Sequence, residues 1–218
     1  MLTNLFSSFD PATTIYFPIN WIVMMMPLLI LPNKFWMKNS RNSMIKKILM
    51  KKIETEMKFI YWNKQILMIL KSMFILILIM NLMGLIPYVF TPTSHASVSI
   101  SLALPLWTSL MLFSWINNTN LMFSHLLPMS TPMLIAPFMI LIESLSNLIR
   151  PISLSVRLSA NMIAGHLLMT LLGNMNKINS IYMILMIQIM LLMFEIAVSF
   201  IQAYVFSILM TMYSSETP

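Results

Sequence analysis

Cysteine is absent from this sequence of 218 residues, and glycine occurs only three times. Without cysteine the chain cannot form a disulfide framework, a thiolate nucleophile or a sulfur-rich metal site. Three glycines are too few for the glycine-rich loops that hold nucleotide phosphates. The sequence also lacks zinc-ligand spacing and a nucleophile–histidine–acid set, so we expect neither a metal nor a cofactor.

Charged residues are scarce as well, at 9% of the sequence, whereas hydrophobic residues make up 59%. Soluble domains carry roughly 25% charged residues, so this chain has too little polar material to cover a surface in water. Mean hydropathy is +0.84, and several apolar stretches approach the length of about 20 residues that spans the hydrocarbon core. The composition therefore predicts an all-α integral membrane protein with several transmembrane helices.

The formal net charge of +7 does not indicate a nucleic-acid partner, because the basic residues are clustered. Nine of the 13 basic residues lie between Lys34 and Lys64, next to a predicted span. Such clusters mark the side of the membrane from which insertion occurs. Lysines there alternate with apolar residues at steps of three and four, which predicts a basic amphipathic helix on the membrane surface. A solvated loop is the alternative.

The whole chain is predicted to form a single membrane domain, 1–218, with five apolar segments in addition to the surface helix. The last two segments are longer than a perpendicular crossing requires, and tilting accommodates such length. We therefore predict that they form a long tilted hairpin within the membrane. The predicted bounds are 16–37 for the first span, 41–64 for the surface helix, 66–90 and 96–116 for a hairpin of two spans, and 132–172 and 178–215 for the tilted hairpin.

Polar and charged side chains recur at intervals of seven residues within the tilted hairpin. Seven residues cover about two helical turns and about 10.5 Å, so side chains at that spacing share one helix face. A charge at mid-bilayer costs on the order of 2.5–3.5 kcal/mol, and such residues normally face protein or a water-filled cavity. The first segment carries Glu143, Asn147, Arg150, Arg157 and Asn161, and the second carries Gln188, Glu195, Ser199, Gln202 and Glu216.

These residue types suit a route for protons. Glu143 and Glu195 carry carboxyl groups that can bind and release a proton, and His166 titrates near neutral pH. Arg157 cannot lose its proton, so it is a poor relay and a good electrostatic barrier between two half-routes. The alternative is structural ion pairing, either between Arg157 and Glu195 or between Arg150 and Glu143.

Two stretches of the hairpin carry a specific motif, SVRLSANMIAGHLL at 155–168 and EIAVSFIQAYVF at 195–206. Two further stretches, NLFSSFDP at 4–11 and NLMGLIPY at 81–88, extend the match over essentially the whole chain. By these motifs the sequence resembles the subunit a family of the mitochondrial F-type ATP synthase, in its animal mitochondrial form.

The resemblance implies a proton-conducting stator subunit with two offset aqueous half-channels. Arg157 would face the rotating c-ring, attract each c-subunit carboxylate, promote its deprotonation and block direct proton leakage. Glu143 would line the half-channel that leads to the matrix. Arg150 is not required by the family and is, with Asn147, Gln188 and Ser199, a possible accessory residue. The half-channel on the intermembrane-space side would take His166, Glu195, Asn161, Gln202 and Glu216.

The resemblance also implies a location and a set of partners. The chain would be a multi-pass protein of the mitochondrial inner membrane, with its N-terminus in the intermembrane space and its basic helix at the matrix surface. Its partners would be the c-ring, the peripheral-stalk subunit b, other membrane subunits, lipid and protons, and by itself it would not be an enzyme. His95 and His125, near the ends of predicted helices, are assigned to the membrane interface.

Two other functions remain open from the residues. One is a non-conducting membrane scaffold whose buried charges are packing pairs. The other is a secondary transporter with a substrate site near the midplane. Transporters of that kind often show internal repeats and broken helices in corresponding halves, and this sequence has no such symmetry.

Overall fold

A computed structural model describes residues 5–12, 18–31, 37–61, 63–127, 132–175 and 181–216. Every regular element within these ranges is helical, which confirms the predicted all-α class. Three short segments are 3₁₀-helices, at Leu5–Phe9, Ile19–Met25 and Pro92–Ser94. The α-helices are α1 (Met26–Ile30), α2 (Arg41–Ile60), α3 (Lys64–Gly84), α4 (Ala96–Asn117), α5 (Thr119–His125), α6 (Ala136–Asn174) and α7 (Ile181–Glu216).

Four of the described helices are long and apolar enough to cross a membrane, namely α3, α4, α6 and α7. The helices of the last hairpin have 39 and 36 residues, so at about 1.5 Å per residue α6 is roughly 58 Å long. A hydrocarbon core about 30 Å thick can contain such a helix only if the helix is steeply tilted. The tilt itself stays a prediction.

The first predicted span, 16–37, falls partly outside the described residues. Within it the chain forms the 3₁₀-helix Ile19–Met25, which continues directly into α1. Its crossing of the membrane also stays a prediction. Pro27 lies in the first turn of α1 and lacks the backbone N–H that an interior position of an α-helix uses. This agrees with the change from 3₁₀-helix to α-helix just before it.

Helix α3 supplies one wall of the core, because its inward residues Leu67, Leu70, Phe74 and Ile77 follow the three- and four-residue spacing of one helix face. Helix α3 lies directly against α7 and α2, and the buried cluster also takes in residues of α4 and α6. Because lipid is as apolar as leucine, burying apolar side chains between helices gives little free energy within a membrane. Helix association there depends mainly on close packing, which small residues allow. Ala203 of α7, which is fully buried in this cluster, has the small side chain that such an approach requires.

Helix α2 is fastened to two of the long helices by its acidic residues. Lys71 of α3 is 8% exposed and donates to Glu54 at 2.7 Å, and Lys58 lies 2.7 Å from the same carboxylate. Hydrogen bonds from Lys58 and Lys71 lower the pKa of Glu54 from 4.5 to about 2. The hydroxyl of Tyr204 in α7 donates to Glu56 at 2.8 Å. Helix α2 is therefore docked by one ion pair between helices and by one hydrogen bond, as well as by apolar contact.

Candidate functional site

The polar residues of the hairpin meet because α6 and α7 run antiparallel. As residue numbers rise along α6, the numbers of the contacting residues fall along α7, so each polar position has a definite neighbour on the other helix. The pairs in order are Arg150 with Glu216, Arg157 with Gln202, Gly165 with Glu195, and Gly173 with Gln188.

A first cavity of about 360 Å³ lies between the second half of α6 and the first half of α7. Its polar lining comes from Asn161 and His166 of α6 and from Glu195 of α7. Nε2 of His166 and Oε1 of Glu195 are buried, and neither atom has a hydrogen-bond partner among the described residues. A cavity of this size with convergent polar atoms meets the requirements for ordered water, which needs about 30 Å³ per molecule and two to four polar partners.

Gly165 sets the position of the Glu195 carboxyl group in this cavity. A Cβ atom at position 165 would lie 2.9 Å from Oε1 and 3.0 Å from Cδ of Glu195, closer than carbon atoms normally approach. Sequence reasoning did not single out this residue. A signal was available, because glycine inside a helix is unfavourable by about 1 kcal/mol relative to alanine and needs a local reason.

A second cavity of about 420 Å³ lies at the other end of the hairpin, where the first half of α6 and the end of α7 meet the second half of α4 and α5. Its polar lining includes Glu143, Asn147, Arg150 and Glu216. Arg150 forms an ion pair with Glu216, and its Nη2 atom lies 3.8 Å from Oε1 of Glu143. The guanidinium carbon also lies 4.9 Å from the ring centre of Tyr213. The ion pair between Arg150 and Glu143, left open by the sequence, is therefore present, with Glu216 as the closer partner.

Glu216 does not join the residues with which the sequence grouped it. It lies in the second cavity with Glu143, whereas His166 and Glu195 line the first. The seven-residue spacing predicts that Glu216 and Glu195 share one face of α7. Their separation of 21 residues corresponds to about 31 Å along the helix, with Glu216 at the last residue of α7 and Glu195 near its middle.

Arg157 lies between the two cavities along α6. Its side chain is exposed, and no carboxylate of the described residues lies within 4.0 Å of it, so the alternative ion pair with Glu195 is not formed. Gln202 of α7 is buried and donates through Nε2 to the backbone carbonyls of Arg157 and Leu158, at 2.7 Å and 3.0 Å. Gln202 thus binds α7 to the main chain of α6 at Arg157. The guanidinium group has no ion-pair partner among the described residues.

Two of the predicted accessory residues line neither cavity. The hydroxyl of Ser199 is buried and donates to the carbonyl of Ile196 at 2.7 Å, which is a local helix contact. Gln188 lies beside Gly173, where its Nε2 atom would be 3.7 Å from an added Cβ. Within the described residues, no group of three or more His, Asp or Glu side chains could hold a metal ion.

Two residues outside the predicted site, Phe9 and His95, are connected to the first cavity through His166. The ring of Phe9 contacts that of His166 with 6.1 Å between centroids, and His95 Nε2 lies 3.0 Å from the Phe9 carbonyl oxygen. The interfacial position of His95 stays a prediction. The side chain of His125 lies outside the described part of the chain.

The family model described as ATP synthase A chain matches residues 13–215. The chain belongs to this family. ATP synthase subunit a of Locusta migratoria is 50% identical over 99% of each chain, and those of Drosophila melanogaster and Aedes albopictus are each 48% identical over 99% of each chain. These matches confirm the resemblance to the mitochondrial ATP synthase subunit a family. Membership of the ATP synthase A chain family agrees with the four long apolar helices and makes the chain a multi-pass membrane subunit of the proton-translocating ATP synthase.

Proposed function

We propose that the chain conducts protons to and from the c-ring through two half-channels that Arg157 separates. The first cavity would open toward the intermembrane space and the second toward the matrix. The observation that carries this proposal is the order along the hairpin, in which an exposed, unpaired arginine lies between two polar cavities. Arg157 is about 10 Å along α6 from Arg150 and about 13 Å from His166, which leaves each cavity on its own side of the fixed charge.

In this proposal a proton enters the first cavity and passes by His166 and Glu195 to a c-ring carboxylate. A neutral carboxyl group can then move into lipid, where an ionised one would be strongly unfavourable. After nearly a full turn of the ring, the carboxyl group reaches the second cavity and releases its proton toward Glu143. Protons therefore cross the membrane only when the ring turns.

Arg157 would prevent a direct passage between the two cavities. Its guanidinium stays protonated at any relevant pH, so it cannot relay a proton. At an effective dielectric constant near 20, a carboxylate about 4 Å away is attracted by roughly 4 kcal/mol, which favours the ionised form of each c-ring carboxylate as it passes. The exposure of Arg157 supports this role, because an arginine neutralised by its own chain would have no such attraction to offer.

The partners and location follow from the same assignment. The c-ring would contact the face of α6 around Arg157, where Ile149, Ile152 and Val156 are each more than half exposed. Subunit b of the peripheral stalk and other membrane subunits would hold the chain stationary, in the mitochondrial inner membrane. The chemistry of ATP would take place on other subunits. In a revision of the sequence-based assignment, Glu216 would belong to the matrix side.

Substitution of Arg157 by Gln tests the proposal in the assembled complex reconstituted into vesicles. We expect ATP-driven proton uptake and ATP synthesis to be lost while native electrophoresis shows an intact complex. Arg41→Gln on α2, an exposed arginine remote from the hairpin, is the matched control and should retain both activities. Unchanged proton flux in the Arg157 variant would refute the proposal and favour the scaffold function.

A further inference from the structure

The N-terminal 3₁₀-helix Leu5–Phe9 packs against α6 beside the first cavity. The rings of Phe9 and His166 are 6.1 Å apart between centroids and meet at 88°, an edge-to-face arrangement. Phe6, one turn earlier in the same segment, is 66% exposed, whereas Phe9 is partly buried. Of the two phenylalanines, only Phe9 contacts the histidine.

Phe9 is held from its other side by His95. Nε2 of His95 lies 3.0 Å from the carbonyl oxygen of Phe9, and because a carbonyl only accepts, the imidazole must carry its hydrogen on Nε2. The His95 ring lies 5.3 Å from that of Trp21 and 5.4 Å from that of Phe90. Trp21 and Phe90 in turn meet edge to face at 5.5 Å. His95 is thus a fixed anchor, built from segments distant in sequence from Phe9.

His166 itself has no such anchor. Its Nε2 atom is buried, and no hydrogen bond from the described residues reaches the imidazole. The orientation of a functional histidine is normally set by a hydrogen bond to one of its ring nitrogens. The edge-to-face contact with the Phe9 ring is therefore a directional contact that can orient this side chain, because such pairs have a preferred geometry that aliphatic contacts lack.

We propose that Phe9 is a positioning residue for His166, and that the segment Leu5–Phe9, anchored on His95, holds the imidazole toward Glu195 in the first cavity. The inference rests on the proposed function, since it concerns the histidine of the entry half-channel. The polar and titratable groups near this imidazole are Glu195 from α7, Asn161 from α6, and His95 through Phe9.

Three variants of the reconstituted complex separate positioning from simple packing. Phe9→Leu retains an apolar side chain but removes the ring, Phe9→Tyr retains the ring, and Phe6→Leu is the matched control. Because the variant loses the edge-to-face contact with the imidazole, we expect Phe9→Leu to reduce ATP-driven proton flux roughly two- to tenfold. Phe9→Tyr and Phe6→Leu should stay close to the parent rate. Full flux in Phe9→Leu, or an equal loss in the Tyr variant, would overturn the inference.

A fourth variant tests the anchor and covers the case in which Phe9→Leu does not assemble. His95→Phe keeps a ring between Trp21 and Phe90 but removes the donor to Phe9, so the same reduction in flux is expected. If both changes act through one path, the double variant should lose no more than either single variant. Full flux in His95→Phe, or additive losses in the double variant, would contradict the anchor.

His166→Gln distinguishes failure of this inference from failure of the proposed function. If His166→Gln reduces flux and Phe9→Leu does not, only the positioning role is wrong. If His166→Gln leaves flux unchanged, the histidine is not a relay and both proposals lose that step. The inference is supported if both variants reduce flux and Phe9→Leu adds nothing to His166→Gln.

Discussion

Gly165 of α6 lies directly against the carboxyl group of Glu195 of α7, so closely that a Cβ atom at position 165 would be 2.9 Å from Oε1. The absence of a side chain at one position therefore determines where an acidic group of the first cavity can be. This contact leads to the first prediction.

Gly165→Ala should slow proton flux several-fold while the complex still assembles. Alanine is favoured over glycine in a helix by about 1 kcal/mol, so α6 itself should not be weakened, but the Glu195 carboxyl must move. Gly173→Ala is the matched control, because its Cβ would meet Gln188 at an ordinary 3.7 Å. The measurement is ATP-driven proton uptake by vesicles. Equal rates in the two alanine variants would show that the position of Glu195 is not critical.

Glu195→Gln should also slow proton flux without preventing assembly. The amide has nearly the same size as the carboxyl group but cannot bind and release a proton under these conditions. Glu56→Gln on α2 is a suitable control, because this side chain lines neither cavity and an amide oxygen can still accept from Tyr204. Proton uptake at the parent rate in the Glu195 variant would remove this residue from the relay.

Arg150 and Glu216 should behave as a coupled pair at the open end of the hairpin. Removing Arg150 leaves Glu216 without its partner, and removing Glu216 leaves Arg150 with only the more distant Glu143. Arg150→Gln and Glu216→Gln should therefore each lower the temperature at which the complex dissociates. Their coupling is expected to be about 0.2–1 kcal/mol, because both side chains are partly exposed. The double variant should therefore be more stable than the sum of the single effects implies. Strict additivity would mean that the ion pair contributes nothing.

Docking of α2 on α3 should weaken in acid. The pKa of Glu54 is lowered from 4.5 to about 2 by Lys58 and Lys71, so its contribution is complete above about pH 4.5 and is lost as the pH falls toward 2. Spin labels on α2 and α3 would report the weakened docking as a longer distance between the two labels when the pH falls from about 4.5 to about 2. Glu54→Gln should show no transition there. A transition of the same size in Glu54→Gln would assign it to another group.

The helix face on which a residue lies could be predicted from the sequence, because it depends on local spacing. The intervals of seven correctly placed Glu143 and Arg150 on one face, where they lie 3.8 Å apart. The end of α3 was less accurate: the prediction extended to residue 90, whereas the helix ends at Gly84. Pro87 follows in the turn after it, and Tyr88 has a φ of 66°, which an α-helix cannot include.

The composition of each cavity could not be predicted in the same way. Glu216 fits the periodicity of α7, but its cavity depends on which end of an antiparallel pair it reaches. In the cluster of Phe9, His95 and His166, the first two residues are 86 positions apart and His166 lies a further 71 positions along the chain. No local pattern contains such contacts, so only the folded chain reveals them.

Gln202 binds the backbone beside Arg157 and leaves the guanidinium alone. Arg157 is therefore anchored through its main chain, while its long side chain keeps its rotational freedom. A cation attached in this way can lean toward an approaching carboxylate, follow it over a few ångströms and swing back, and the hairpin need not shift while one rotor site replaces the next.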